Sequence, residues 1–231
     1  FEIQCNKRCY NFPFLIEQGV WTNGETLKPT DRMRRILKHG SLTIGFIGLA
    51  ETLKALTGKH QGESEDSQKL GLEIIRFMRE KCDEFSKEYN LNFTLLATPA
   101  EGLSGRFVGI DKAMYGRIKG VTDRDYYTNS FHVPVYYNTT IKHKLEIEAP
   151  YHALTNGGHI SYIEFDGAAA ANVDAFESVV RMMKDLGIGY GAINHPVDRD
   201  PVCGYVGVIG DTCPKCGRKE FEGVPFEEVK N

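Results

Sequence analysis

The sequence predicts an α/β fold, and three observations carry that prediction. Residues 91–97 form a mostly apolar run, the pattern of a strand buried on both faces. Residues 64–89 place apolar side chains at helical spacing. Further strand and helix patterns follow before Pro, Gly and Cys take over at residue 195. An α/β body is therefore expected over residues 1–194 and a small loop-rich module over residues 195–231. A chain of 231 residues has room for one large domain or one and a half average ones.

Each element has its own reason. Residues 1–30 are punctuated by Pro13, Gly19, Gly24 and Pro29 and read as irregular. Thr30 and Asp31 can cap a short helix through Leu37. Residues 45–56 carry Phe46, Ile47, Leu49, Leu53 and Leu56 at mixed three- and four-residue steps, which predicts a helix ended by Gly58. Leu70, Ile74, Phe77, Met78 and Cys82 recur on one face of the long helix, with Asn90 as its stop. After the strand at 91–97, residues 131–137 and 145–147 are further strand candidates, and residues 159–165 alternate apolar and polar positions. Residues 172–186 predict a helix with Phe176, Val179, Val180 and Met183 on one face, and residues 189–193 a short strand. No internal repeat or low-complexity segment is present.

Hydrophobic residues make up 41% and charged residues 26%, ordinary for a soluble globular protein. With 28 basic and 31 acidic residues the net charge is −3, which leaves no electrostatic case for nucleic acid or an anionic membrane as main partner. No apolar run is long enough for a transmembrane helix. The chain opens at Phe1 without a signal-peptide pattern and closes on a charged stretch, so a piece of a longer protein is expected.

Six cysteines stand at positions 5, 9, 82, 203, 213 and 216, too dispersed for a disulfide scaffold. The pattern favours a reducing compartment, the cytoplasm, and a metal site. Cys213-Pro214-Lys215-Cys216-Gly217 is a knuckle that points two sulfurs at one ion. Cys203 resembles the second half of a partner knuckle, but Asp200 stands three residues before it. Three thiolates and one carboxylate can hold zinc, and His195 is another candidate fourth ligand. A redox pair or inert buried thiols are the other readings of these cysteines.

Two polar segments are candidate binding sites. The apolar strand runs into Thr98-Pro99-Ala100-Glu101-Gly102, with Ser104 close behind. Thr98 suits a helix N-cap, Pro99 the first helical position and Glu101 the third, completing a capping box. The free N–H groups of such a helix start can cradle phosphate, although a well-capped helix needs no ligand. Asn129, Ser130 and His132 lie beside a strand candidate, where an α/β sheet can offer substrate contacts, or in a polar surface loop. No Ser-His-Asp order, Walker loop or dinucleotide fingerprint occurs.

Six stretches together resemble the anaerobic (class III) ribonucleoside-triphosphate reductases, a family of glycyl radical enzymes. They are LKHGSLTIGFIGLAETLKALTGKH at 37–60, LNFTLLATPAEGLSGRF at 91–107, GVTDRDYYTNSFHVPV at 120–135, EAPYHALTNGGHISYIE at 148–164, INHPVDRDPVCGYVGVIG at 193–210 and CPKCG at 213–217. They run in family order.

The resemblance implies part of a ten-stranded α/β barrel with the active site inside, followed by a zinc module. It implies a glycyl radical that takes hydrogen from an active-site cysteine. The resulting thiyl radical abstracts the 3′ hydrogen of a ribonucleoside triphosphate, the 2′ hydroxyl is lost, and formate supplies electrons. It further implies a radical S-adenosylmethionine activating enzyme with an iron–sulfur cluster, a nucleotide-binding regulatory domain and a homodimer. By this likeness residues 98–104 fit the place where substrate phosphate rests on a helix start, and Asn129, Ser130 and His132 lie near the barrel interior. Cys203, Cys213 and Cys216 match three of four zinc cysteines, with Asp200 in place of the fourth.

The thiyl cysteine is expected upstream of Phe1 and the radical glycine beyond Asn231, so no catalytic residue is assigned and the fragment is expected to be inactive alone. Gly204 sits in a Cys-Gly-Tyr context like a radical loop, but Cys203 falls in the zinc set. Two competing readings are a stand-alone zinc-containing binding or scaffold module derived from the barrel, and a different glycyl radical enzyme. The knuckle argues against the latter.

Overall fold

Prolines and glycines break the start of the chain into short helices: α1 (Glu2–Asn6), α2 (Pro13–Glu17) and α3 (Arg34–Leu37). The last two surround a small core of Cys9, Met33 and Ile36, with Trp21 and Phe12 edge to face beside it. The computed structural model describes residues 2–165, 172–194, 197–207, 209–219 and 224–228. The chain divides into two units, residues 1–138 with 150–159, and residues 139–149 with 160–231.

In the first unit the helix predicted over residues 45–56 is a strand followed by a helix. Strand β1 (Ser41–Phe46) ends at a turn in which Gly48 takes φ +74°, and α4 (Leu49–Thr57) begins directly after it. The apolar steps around Phe46 and Leu49 belong to two elements, so a single helical period cannot describe them. Helix α5 (Glu65–Tyr89) forms as expected. Ser64 Oγ accepts from the Ser67 amide at its start, and Asn90 closes it in the left-handed region. Its buried stripe is Gly71, Ile75 and Cys82, whereas Phe77 is exposed beneath the Lys81 ammonium. Gly71 is needed there, because a Cβ would lie 2.5 Å from the Tyr151 hydroxyl.

Strand β2 (Asn92–Ala97) pairs in parallel with β1, in register Ser41↔Asn92 through Phe46↔Ala97. Its other edge is held by the turn at 156–158. Asn156 Oδ1 accepts from the Leu95 amide, and the Gly157 amide donates to Leu95 O. The two faces of the pair differ. Phe93, Leu95 and Ala97 enter the main core with Leu53, Ile75 and Phe131. Thr43, Gly45, Thr94 and Leu96 lie on the opposite face, where the Thr43 and Thr94 hydroxyls meet at 3.0 Å. Helix α6 (Gly102–Tyr115) follows.

Residues 131–137 form no strand. The buried Gln61 amide donates to the carbonyls of both Phe131 and His132, and Pro134 has no N–H to offer a ladder. Phe131 instead stacks on Tyr151, with ring planes 8° apart.

The strand candidate at 145–147 lies inside α7 (Ile141–His152), whose span crosses the division between units. Ile141, Leu145 and Ala149 recur every fourth residue and face the core of the second unit. That core holds Leu145, Ile163, Val179, Met183 and Ile188. Strand β3 (Ser161–Glu164) pairs in parallel with β4 (Gly191–Asn194), and α8 (Val173–Asp185) lies between them in sequence. Asn172 caps α8 by accepting from the Ala175 amide. On α8, Val179 and Met183 are buried, while Val180 and Phe176 are exposed. Three two-residue strands, β5 (Asp198–Arg199), β6 (Val206–Gly207) and β7 (Glu227–Glu228), make a small antiparallel sheet in the order β6-β5-β7.

Candidate functional site

The polar face of β1 and β2 borders a cleft of about 880 Å³ in the first unit. Gly45 and Leu96 line it from the strands, Thr98 from just past β2, Glu51 from α4, Phe107 from α6 and Tyr127 from the loop that follows. Gly45 is a close-approach glycine, since a Cβ there would collide with the Thr98 hydroxyl.

Glu51 is buried in the wall of this cleft. Its Oε1 accepts from the Thr128 amide at 3.0 Å and from the Thr128 hydroxyl at 2.7 Å. Its Oε2 has no hydrogen-bond partner among the described residues. Burial raises the Glu51 pKa, against the lowering effect of the two Thr128 bonds. Next to it Tyr127 donates its hydroxyl to Asp111 at 2.7 Å, and burial followed by that bond raises the phenol above its usual range.

The segment from 98 to 104 does not form the expected capping box. Helix α6 starts at Gly102, with Glu101 at the N-cap and no side-chain cap. Thr98 Oγ1 lies 3.5 Å from Leu96 O, and the Ala100 amide donates to Asn129 Oδ1 at 3.1 Å. The amide of Ala100 is therefore held by a distant side chain before the helix begins. Ser104 Oγ donates to Glu101 O at 2.8 Å. Asn129 thus joins the two predicted segments. Thr98 lines the cleft, Pro99, Glu101 and Gly102 are exposed, and Ala100 and Ser104 are buried. Ser130 and His132 are buried outside its lining, Ser130 with φ +43° and its carbonyl accepting from the Leu49 amide.

The second unit gathers the predicted metal ligands. The donor atoms of Asp200, Cys203, Cys213 and Cys216 all lie within 4.8 Å of one another. Cys203 Sγ is 3.7 Å from Cys213 Sγ and 3.4 Å from Asp200 Oδ2, and Cys216 Sγ is 3.2 Å from the same oxygen. A tetrahedron with Zn–S of ~2.3 Å and Zn–O of ~2.0 Å has S···S edges of ~3.8 Å and S···O edges of ~3.5 Å. The donor set fits such an ion. His195, the other fourth-ligand candidate, lies outside the described residues. Gly204, with φ +70°, allows the turn that follows Cys203.

A family model described as anaerobic ribonucleoside-triphosphate reductase matches residues 1–225. The chain belongs to that family. The reductase of Salmonella typhimurium is 37% identical over 216 residues, covering 90% of this chain and 30% of the relative. That of enterobacteria phage T4 is 35% identical over 215 residues, covering 90% and 33%. The chain thus spans about 30% of the length of the curated reductases it matches. A solved anaerobic ribonucleotide reductase superposes with a TM-score of 0.65 at 22% identity, over 89% of this chain and 31% of that one. The Thermotoga maritima enzyme in complex with dATP and CTP superposes with a TM-score of 0.62 at 20% identity, over 93% and 35%. These structures share the α/β fold of this reductase segment.

Sequence reasoning missed Glu51, Tyr127 and Arg218. Glu51 follows Leu49 and Ala50 in an apolar stretch, which is the one signal it carried: a lone carboxylate in a buried helix face. Arg218 carried no signal, because it adjoins the knuckle but meets Asp200 only through folding.

Proposed function

We propose that the chain forms part of the catalytic ten-stranded barrel (residues 1–194) and the zinc module (residues 195–231) of an enzyme that reduces ribonucleoside triphosphates to deoxyribonucleotides. The family match across residues 1–225 is the observation that carries this reading. In it, formate supplies the electrons, and the glycyl radical, the thiyl cysteine, the regulatory domain and the surface for the activating enzyme lie in the rest of a homodimeric protein. Six free cysteines support a reducing compartment, and none of the described helices is long and apolar enough to cross a membrane.

On this reading the cleft receives substrate. In it the first-turn amides of α6, at Gly102 to Ser104, receive a phosphate group, a reading supported by Leu103 and Thr98 both lining the cleft. Asn129 holds the turn that aims this helix start. Glu51, whose Oε2 is buried and has no hydrogen-bond partner among the described residues, stands in the wall of that cleft. Asp200, Cys203, Cys213 and Cys216 hold zinc, whose contribution when bound is structural.

The test uses the complete protein, activated without oxygen and supplied with formate and each ribonucleoside triphosphate. Deoxyribonucleotide formation is expected, and Asn129→Ala should raise KM roughly tenfold, about 1.4 kcal/mol, with a smaller change in kcat. A full glycyl radical signal without any deoxyribonucleotide would sink the reading.

A further inference from the structure

We infer that Arg218 is a positioning residue that fixes Asp200 as a single-oxygen ligand beside the three cysteines. The inference rests on the metal reading above and goes beyond it by naming how a carboxylate can stand in a thiolate set.

Asp200 is fully buried, and its two oxygens have different tasks. Oδ2 faces the sulfurs of Cys203 and Cys216 at 3.4 and 3.2 Å. Oδ1 accepts from the Val202 amide at 2.9 Å and from Arg218 Nη2 at 2.8 Å. Arg218 Nε lies across both oxygens, at 3.1 and 3.2 Å. Oδ1 thus takes Nη2, the Val202 amide and a share of Nε, whereas Oδ2 takes only a share of Nε and is the oxygen that faces the sulfurs. Arg218 is itself held, with Nη1 donating to Val224 O at 2.8 Å and the guanidinium 4.5 Å from the Phe226 ring centre. A planar fork fixed in this way orients a carboxylate as a lysine could not.

Charge gives the same answer. Three thiolates and a carboxylate around a divalent ion leave a net negative centre, and an always-charged guanidinium in contact with it offsets part of that excess. A cysteine at position 200 would have no use for the fork. Asp200 and Arg218 thus act as a matched pair.

Cobalt substitution in the complete, anaerobically purified protein tests this. Difference spectra against Cys213→Ser isolate this centre. The starting protein should bind cobalt with a tetrahedral spectrum and sulfur charge-transfer intensity for three thiolates, and Asp200→Cys should show four. Arg218→Gln should weaken zinc in chelator competition by roughly 10–100-fold, and Arg218→Lys should recover only part of that loss. In the Asp200→Cys background Arg218→Gln should change affinity less than about threefold. Equal losses in both backgrounds would overturn the inference, because Arg218 would then act through Val224 and Phe226 alone. No cobalt or zinc in the starting protein, with binding restored by Asp200→Cys, would overturn it together with the metal reading. Three-thiolate binding with an unaffected Arg218→Gln would overturn it while leaving the metal reading intact.

Discussion

Glu51 is a buried carboxylate whose Oε1 is bonded by Thr128 and whose Oε2 has no hydrogen-bond partner among the described residues. Its pKa is raised from the ordinary 4.5, so the native state takes up this proton before the unfolded chain does. Above the raised value the buried charge costs stability; as pH falls through it, that cost is relieved, and below the ordinary value it is gone. Glu51→Gln keeps an acceptor for Thr128 and removes the charge. It should melt higher than the starting protein at neutral pH, with the gap closing as pH falls towards about 4.5. A gap that stays constant across that range would show that the buried charge is not the cause. Asn129 illustrates the other kind of residue. A polar loop position in the sequence, it becomes the acceptor that fixes the Ala100 amide.

Element boundaries follow from local chemistry where caps are strong. Ser64 and Asn90 bound α5 as their residue types suggest, and Ser64→Ala should lower stability by ~1 kcal/mol in denaturant unfolding. The β1–α4 boundary is different, because its apolar spacing runs through the turn at Gly48. Gly45 belongs to this element for a reason no local pattern shows, the approach of Thr98 from just past the next strand. Gly45→Ala should destabilise by ~1–3 kcal/mol, and much of the loss should return when Thr98→Ala removes the colliding hydroxyl. Additive losses in the two single variants and their combination would rule out that contact as the cause. The misread segments at 131–137 and 145–147 are short apolar runs. Whether such a run becomes strand, coil or helix depends on what meets its backbone. Gln61 takes the carbonyls of one, and the four-residue spacing of Ile141, Leu145 and Ala149 takes the other into α7.

For the whole molecule, both parallel pairs contain only two strands among the described residues, so each has an edge that is open to pairing. The chain in isolation should self-associate at high concentration, and a monodisperse monomer in sizing would contradict this. Strands β5 to β7 are too short to persist without help, which a metal held by the cysteine cluster, as proposed, would supply. Removing metal with a chelator should therefore raise amide exchange over residues 198–219 and leave β1 and β2 protected. Uniform loss of protection would mean that the metal holds more than its own module.

The sequence by itself determined the α/β class, the long helix, the β2 strand, the knuckle and the family, because each is written in contiguous residues: a period, a cap, a spacing or an ordered run of motifs. The tertiary structure alone decided that Asn129 meets Ala100, that Gln61 unmakes a strand, that Glu51 meets Thr128 and that Arg218 grips Asp200. Those pairings join residues distant along the chain, or hang on the direction of one side chain. No local period records either, since each side chain's partner is fixed only when the surrounding elements pack.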